Sequence, residues 1–300
     1  MPFILLVVVA CVAGALVALA TARLHRPAAL PPVDRAPSRL RDRLAPRLDR
    51  EQATGLALTV AVVVVLAGGV VLAVLAVVVR STDALSGIDS AVARWGDRHA
   101  TGGSTQGLKL VTDLGETWLV VLAAVLVAAV ELRRRGDRRV VPFLVLVIGG
   151  DKLVTTLVKT LIDRARPTLN PVAETLGPSF PSGHSSTAAA FWAAAALVAG
   201  RWCARRARPA LAGAAAGIAV AVAASRVLLD VHWLTDVLGG LALGWAWFAV
   251  CAVAFGGRLL RPGGAPEVRP ASGPPPAARP AWPPRAGSPR RRPPTHTPDR

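Results

Sequence analysis

The sequence predicts an all-α integral membrane protein: a six-span helical core with an extra N-terminal transmembrane helix. Three observations carry that fold class. The 300 residues are 53% hydrophobic, too apolar for an ordinary soluble domain. Several apolar runs approach the roughly 20 residues needed to cross a bilayer. Of the 35 Lys and Arg, 26 lie in 23–50, 133–139, 201–208 and 258–300, connections and tails that alternate with the runs as the positive-inside rule requires. The net charge of +17 is therefore read as topology, and no nucleic-acid partner is expected.

Residues 3–22 are apolar and end in Ala18, Leu19 and Ala20, a run that resembles a signal-peptidase site. No Lys or Arg precedes it, and cleavage would leave every later basic loop facing the wrong way. Residues 1–22 are expected to be a retained anchor with its N-terminus outside. Residues 23–55 form a basic, proline-containing linker, expected to be partly ordered on the cytoplasmic side near anionic lipid. The core is expected over 56–257. Its spans run over 56–79, 109–131, 140–162, 185–201, 210–228 and 235–256. Between the first two, residues 84–98 carry Leu85, Ile88, Val92 and Trp95 at helical spacing, which predicts a short interfacial helix. Residues 258–300, dominated by Pro and Arg, are expected to be a disordered cytoplasmic tail.

Cys11, Cys203 and Cys251 sit in or beside apolar runs without metal-ligand spacing, so they are read as small side chains and not as a disulfide framework. Trp118, Trp202 and Trp233 fall near span ends, where indole rings favour the interface.

Three places share one end of this topology: the end of the 140–162 span, the start of the next, and the last turn. Each holds costly polar chemistry. In the first, Lys159 and Arg166 are seven apart, about two helical turns, before Pro167. They suit an anion such as phosphate, with the arginine able to bind two oxygens; lipid-headgroup snorkelling is the plain alternative. In the second, Pro181-Ser182-Gly183-His184 opens a helix whose first amides can face an anion, and an ordinary N-cap is the alternative. In the third, His232 and Asp236 are four apart, so the carboxylate can take Nδ1–H and leave Nε2 bare. A satisfied structural pair would look the same. Arg226 and His232 are six apart, so the chain must turn between them for both to meet one ligand.

A lysine followed after six residues by Arg-Pro, then Pro-Ser-Gly-His, then Ser-Arg with a histidine and an aspartate at fixed offsets, resembles the tripartite signature of the type 2 phosphatidic acid phosphatase family. The pieces occupy 159–167, 181–184 and 225–236, within a resemblance covering about 56–256. The resemblance implies a metal-independent, cofactor-free phosphatase that forms a phosphohistidine. By position it implies His232 as nucleophile, Asp236 as its orienting carboxylate and His184 as the acid for the leaving oxygen. Lys159, Arg166, Ser182, Gly183 and Arg226 would cradle the phosphate.

Outside the signature, Asp151 and Lys152 lie mid-span and are read either as charge tuning or as a buried ion pair. Asp113 and Glu116 are expected at the interface, and Asp230 in a turn beside Arg226. The expected activity is hydrolysis of a lipid phosphate at the outer leaflet of the cell membrane. Isoprenyl (undecaprenyl-type) diphosphate, phosphatidic acid and phosphatidylglycerophosphate are the candidates. The expected partners are this substrate and membrane lipids. Transfer of the phosphoryl group to a lipid or sugar hydroxyl is the alternative, and a non-catalytic membrane scaffold is the alternative of another class.

Overall fold

The computed structural model describes residues 2–24, 38–81, 84–99, 101–167 and 177–259. The expected tail past 260 and most of the expected linker's first half lie outside the described residues. Among those described there are only helices and turns: α1 (Pro2–Leu24), α2 (Ser38–Ser81), α3 (Ser86–Arg98), α4 (Gly102–Thr112), α5 (Thr117–Arg135), α6 (Val140–Ile162), α7 (Gly183–Ala199), α8 (Arg208–Leu228) and α9 (Leu234–Leu259). Five of these, α1, the Leu58–Ser81 part of α2, α6, α8 with its preceding turn, and α9, are each long and apolar enough to cross a membrane. The bent pair of α4 and α5 adds a sixth, and α7, 17 residues without a charged side chain other than His184, packs among them. The chain is a multi-pass membrane protein.

α7 is the axis of the bundle. Ser185, Ser186, Thr187, Ala188, Ala189 and Ala190 are all buried, because small side chains let neighbouring backbones close in where lipid supplies no hydrophobic drive between helices. α9 meets it through Gly240 and Gly244; a Cβ on Gly244 would overlap the Ser186 carbonyl. Below this contact, Val120, Phe143, Val147, Phe191, Val198 and Cys251 form an apolar cluster joining α5, α6, α7 and α9. The N-terminal helix α1 packs on α8 by the same device. A Cβ on Gly14 would stand 2.7 Å from the Gly213 carbonyl, while α1 leaves Ile4, Val8, Val12 and Leu16 exposed.

The structure differs from the sequence expectation in four respects. α2 begins at Ser38, so the second half of the expected linker is helical; the Arg, Leu, Ala and Glu of 38–54 are strong helix formers that continue into the span. The 109–131 span is broken, with α4 and α5 bent by 52° at the short 3-10 turn Asp113–Gly115. Gly115 explains the break, since a Cβ there would lie 2.9 Å from the His184 carbonyl oxygen. α6 ends at Asp163, which takes a left-handed φ of 48°, so Arg166 does not continue the helical stripe of Lys159. Finally, α3 buries Asp89, Ala93 and Gly96, and Ile88 is exposed. Val92 of its apolar stripe packs partly buried against the cluster shared by α7, α8 and α9, and the small residues permit a close approach to Leu228.

At the far end from the three motif pieces, Arg201 binds Glu131 at 2.7 Å and Asp137 at 3.0 Å. Trp202 donates its indole N–H to Glu131. These pairs fasten the 133–139 and 201–208 turns to one another.

Candidate active site

The three motif pieces meet at one end of the bundle. α8 stops at Leu228, and Asp230 adopts a left-handed φ of 56°, a conformation that aspartate tolerates better than most residues. The amides of Val231 and His232 both donate to the Arg226 carbonyl, at 3.2 and 3.3 Å. This is the turn that lets Arg226 and His232 share a site. Asp236, in the first turn of α9, accepts the Trp233 amide at 2.9 Å on Oδ2. His232 Nδ1 lies 3.4 Å from the same oxygen. With Nδ1–H directed there, Nε2 keeps its lone pair. Only 2% of His232 is exposed, and burial pushes its pKa down to about 4 against the pull of Asp236, so the imidazole is neutral at ordinary pH.

Arg166 faces Nε2. Its Nη1 is 3.4 Å from that nitrogen and donates to the Val231 carbonyl at 2.9 Å. Nε donates to Gly177 at 2.9 Å, and Nη2 reaches Pro178 at 3.4 Å. Lys159 Nζ donates to the same Pro178 carbonyl at 2.7 Å. The two cations therefore converge although they do not lie on one helix.

Ser182 is fully buried and joined to the start of α9 by its own amide, which donates to the Asp236 carbonyl at 3.0 Å. Its hydroxyl accepts from Ser185 at 3.0 Å and makes no cap to α7. Gly183 opens α7; a Cβ there would meet only a methyl of Thr155, at 3.8 Å. His184 follows, with Nε2 2.7 Å from Glu116 Oε1. Arg226, 5% exposed, donates to Thr112 at 3.3 Å. All eight residues singled out in the sequence thus stand at this end.

Three further residues belong to it that sequence reasoning passed over. Glu116, expected at the interface, is carried to His184 by the break between α4 and α5. Arg164 donates from Nη1 to Asp236 Oδ1 at 2.6 Å, and Asp89 of α3 takes its Nη2 at 2.8 Å. A carboxylate 75 residues away in sequence leaves no periodic signal. Arg164 sat inside the first motif piece and could have been flagged as a second guanidinium beside Arg166. Asp151 proves to be held by hydroxyls and not by an ion pair: Ser186 donates to it, as does Thr187 at 2.9 Å.

Known proteins resemble this arrangement. Residues 140–259 match the family model described as PAP2 superfamily. Phosphatidylglycerophosphatase B of Bacillus subtilis (strain 168) is 41% identical over 103 residues, 34% of this chain and 51% of that protein. Lipid A 1-phosphatase of Rhizobium johnstonii is 36% identical over 118 residues, 36% of this chain and 43% of its own. The chain spans about half the length of the curated relatives it matches. A crystal structure of a transmembrane PAP2-type phosphatidylglycerolphosphate phosphatase from Bacillus subtilis superposes with a TM-score of 0.63 at 27% identity, covering 65% of this chain and 98% of that one. The family match begins at the first residue of α6 and takes in all three motif pieces.

Proposed function

We propose that this protein is a lipid phosphate phosphatase that works through a phosphohistidine on His232. The observation that carries the reading is the placement of His232: Asp236 behind Nδ1 and Arg166 beside a bare Nε2. A phosphoryl group in transfer spreads charge over its equatorial oxygens, so positioned cations and amides supply most of the stabilisation. Lys159, Arg166 and Arg226 provide three positive charges around that point, with the Ser182 hydroxyl and the Gly183 amide beside them. On this reading the three cations meet the charge and the reaction is metal-independent.

Nε2 attacks phosphorus, and the bond to the leaving oxygen breaks as His184 gives that oxygen its proton. His184, now neutral, then takes a proton from water; the hydroxide attacks phosphorus, the N–P bond breaks, and inorganic phosphate leaves. Glu116 holds His184 in place through Nε2 at 2.7 Å. Phosphatidylglycerophosphate and related lipid monoesters come first as substrates, because the relatives' names point to lipid phosphates; phosphatidic acid and isoprenyl diphosphates share the chemistry. The site then faces outward from the cell membrane, opposite the basic turns, within a catalytic core of 56–257. The N-terminal helix and the tail beyond 258 are accessory to it.

The test is phosphate release in detergent from a panel of these lipids. Wild type is expected to release phosphate, and His232→Ala to release none. His184→Ala is expected to lose about 100-fold or more on monoesters and less on diphosphates, whose leaving phosphate needs no proton. Equal release by wild type and His232→Ala removes the phosphohistidine. Transfer of label to a glycerol or lipid acceptor in place of water would identify a phosphotransferase.

A further inference from the structure

Asp236 is gripped on both oxygens, and the grip leads away from the motifs. Oδ2 receives the Trp233 amide and His232, while Oδ1 receives Arg164 Nη1 at 2.6 Å. The same Nη1 reaches the Thr235 hydroxyl at 2.7 Å. Nη2 of Arg164 binds Asp89 Oδ2 at 2.8 Å. Asp89 closes the circuit, accepting the Thr235 amide on Oδ1 at 3.0 Å and the Thr235 hydroxyl on Oδ2 at 2.7 Å. Asp89 and Asp236 are 1% and 0% exposed, where an unshared charge would be costly.

We infer that Asp89, on a helix outside the segment matched to the family, is a positioning residue for the nucleophile, acting through Arg164. The inference rests on the phosphohistidine reading of His232. Two consequences follow from the contacts. Asp89 places a carboxylate at the first-turn amide of α9, where the helix dipole favours it, and so fixes the helix that presents Asp236. It also divides the charge of Arg164. Two carboxylates and one guanidinium leave one net negative charge beside His232, ready for the positive charge the imidazole acquires on attack. Without Asp89, Arg164 would neutralise Asp236 alone and that compensation would be spent.

The full-length protein in detergent tests this with Asp89→Asn, Arg164→Gln and the double variant. Asn keeps an acceptor for the Thr235 amide and removes the charge together with the oxygen that accepts from Arg164. With phosphatidic acid as probe, Asp89→Asn is expected to lower kcat about 10- to 100-fold with KM within about twofold. Adding Arg164→Gln restores the single negative charge, so the double variant is expected to be faster than Asp89→Asn alone. Equal or further loss in the double variant overturns the inference, because a merely structural tether would lose more when cut twice. A second measurement needs no turnover: titration of His232 by 15N-histidine NMR. Asp89→Asn is expected to move it to lower pH and the double variant to return it, while the other charges facing the ring, Arg166 and Arg226, stay the same. An unmoved titration overturns the inference even if wild type releases no phosphate. That last result by itself would sink only the phosphohistidine reading.

Discussion

At the residue scale, the imidazole of His232 sets the pH behaviour. Its pKa is held near 4 by burial, below the ordinary value of 6.5. A lowered pKa means that the folded state refuses a proton the unfolded chain accepts. The sign is therefore that stability is whole above about 6.5 and is lost as pH falls towards about 4. The midpoint of thermal unfolding in detergent should drop across that window, and His232→Gln should flatten the drop. A variant that loses stability as steeply as wild type would place the titration on another group. The residue scale is also where sequence reading was strongest. His232, Asp236, Lys159 and Arg166 announced themselves because polar groups between apolar runs are costly and their offsets are regular. Asp89 and Glu116 gave no such signal. One looked like a polar position on an interfacial helix, the other like an ordinary span end, and their partners lie more than 60 residues away.

At the element scale, hydropathy located the spans to within a few residues for α6, α8 and α9. It could not anticipate the bend at Glu116, because composition records how apolar a stretch is and not what its backbone must avoid. The bend follows from a glycine pressed against His184. For the same reason the assembly is sensitive to small-to-large changes at α9. Gly244→Val is expected to push α9 from α7 and destabilise the bundle by about 1–3 kcal/mol or more, read as a lower unfolding midpoint with loss of activity. Gly69, whose added Cβ meets nothing within 4 Å, should tolerate alanine, apart from lipid contact. If the two substitutions behave alike, close packing of α7 and α9 is not what holds the site end together.

At the scale of the whole molecule, alternation of apolar runs and basic turns predicted which segments share an end, and the described bundle keeps that arrangement. The proposed sidedness is tested by labelling in intact cells with a membrane-impermeant maleimide, after Cys11→Ala. Cys203, exposed beside the basic turns, should react only after permeabilisation, whereas a cysteine replacing Asp97 at the exposed end of α3 should react from outside. Reversed reactivity would put the site on the cytoplasmic face. The length of α7 carries a further consequence. Its 17 residues rise about 25 Å, short of the roughly 30 Å hydrocarbon thickness, and none of them is exposed, so neighbouring helices and not lipid enclose it along its whole length. A change of bilayer thickness would therefore reach Gly183 and His184 in its first turn only through those neighbours, as a tilt of the longer helices around a shielded post.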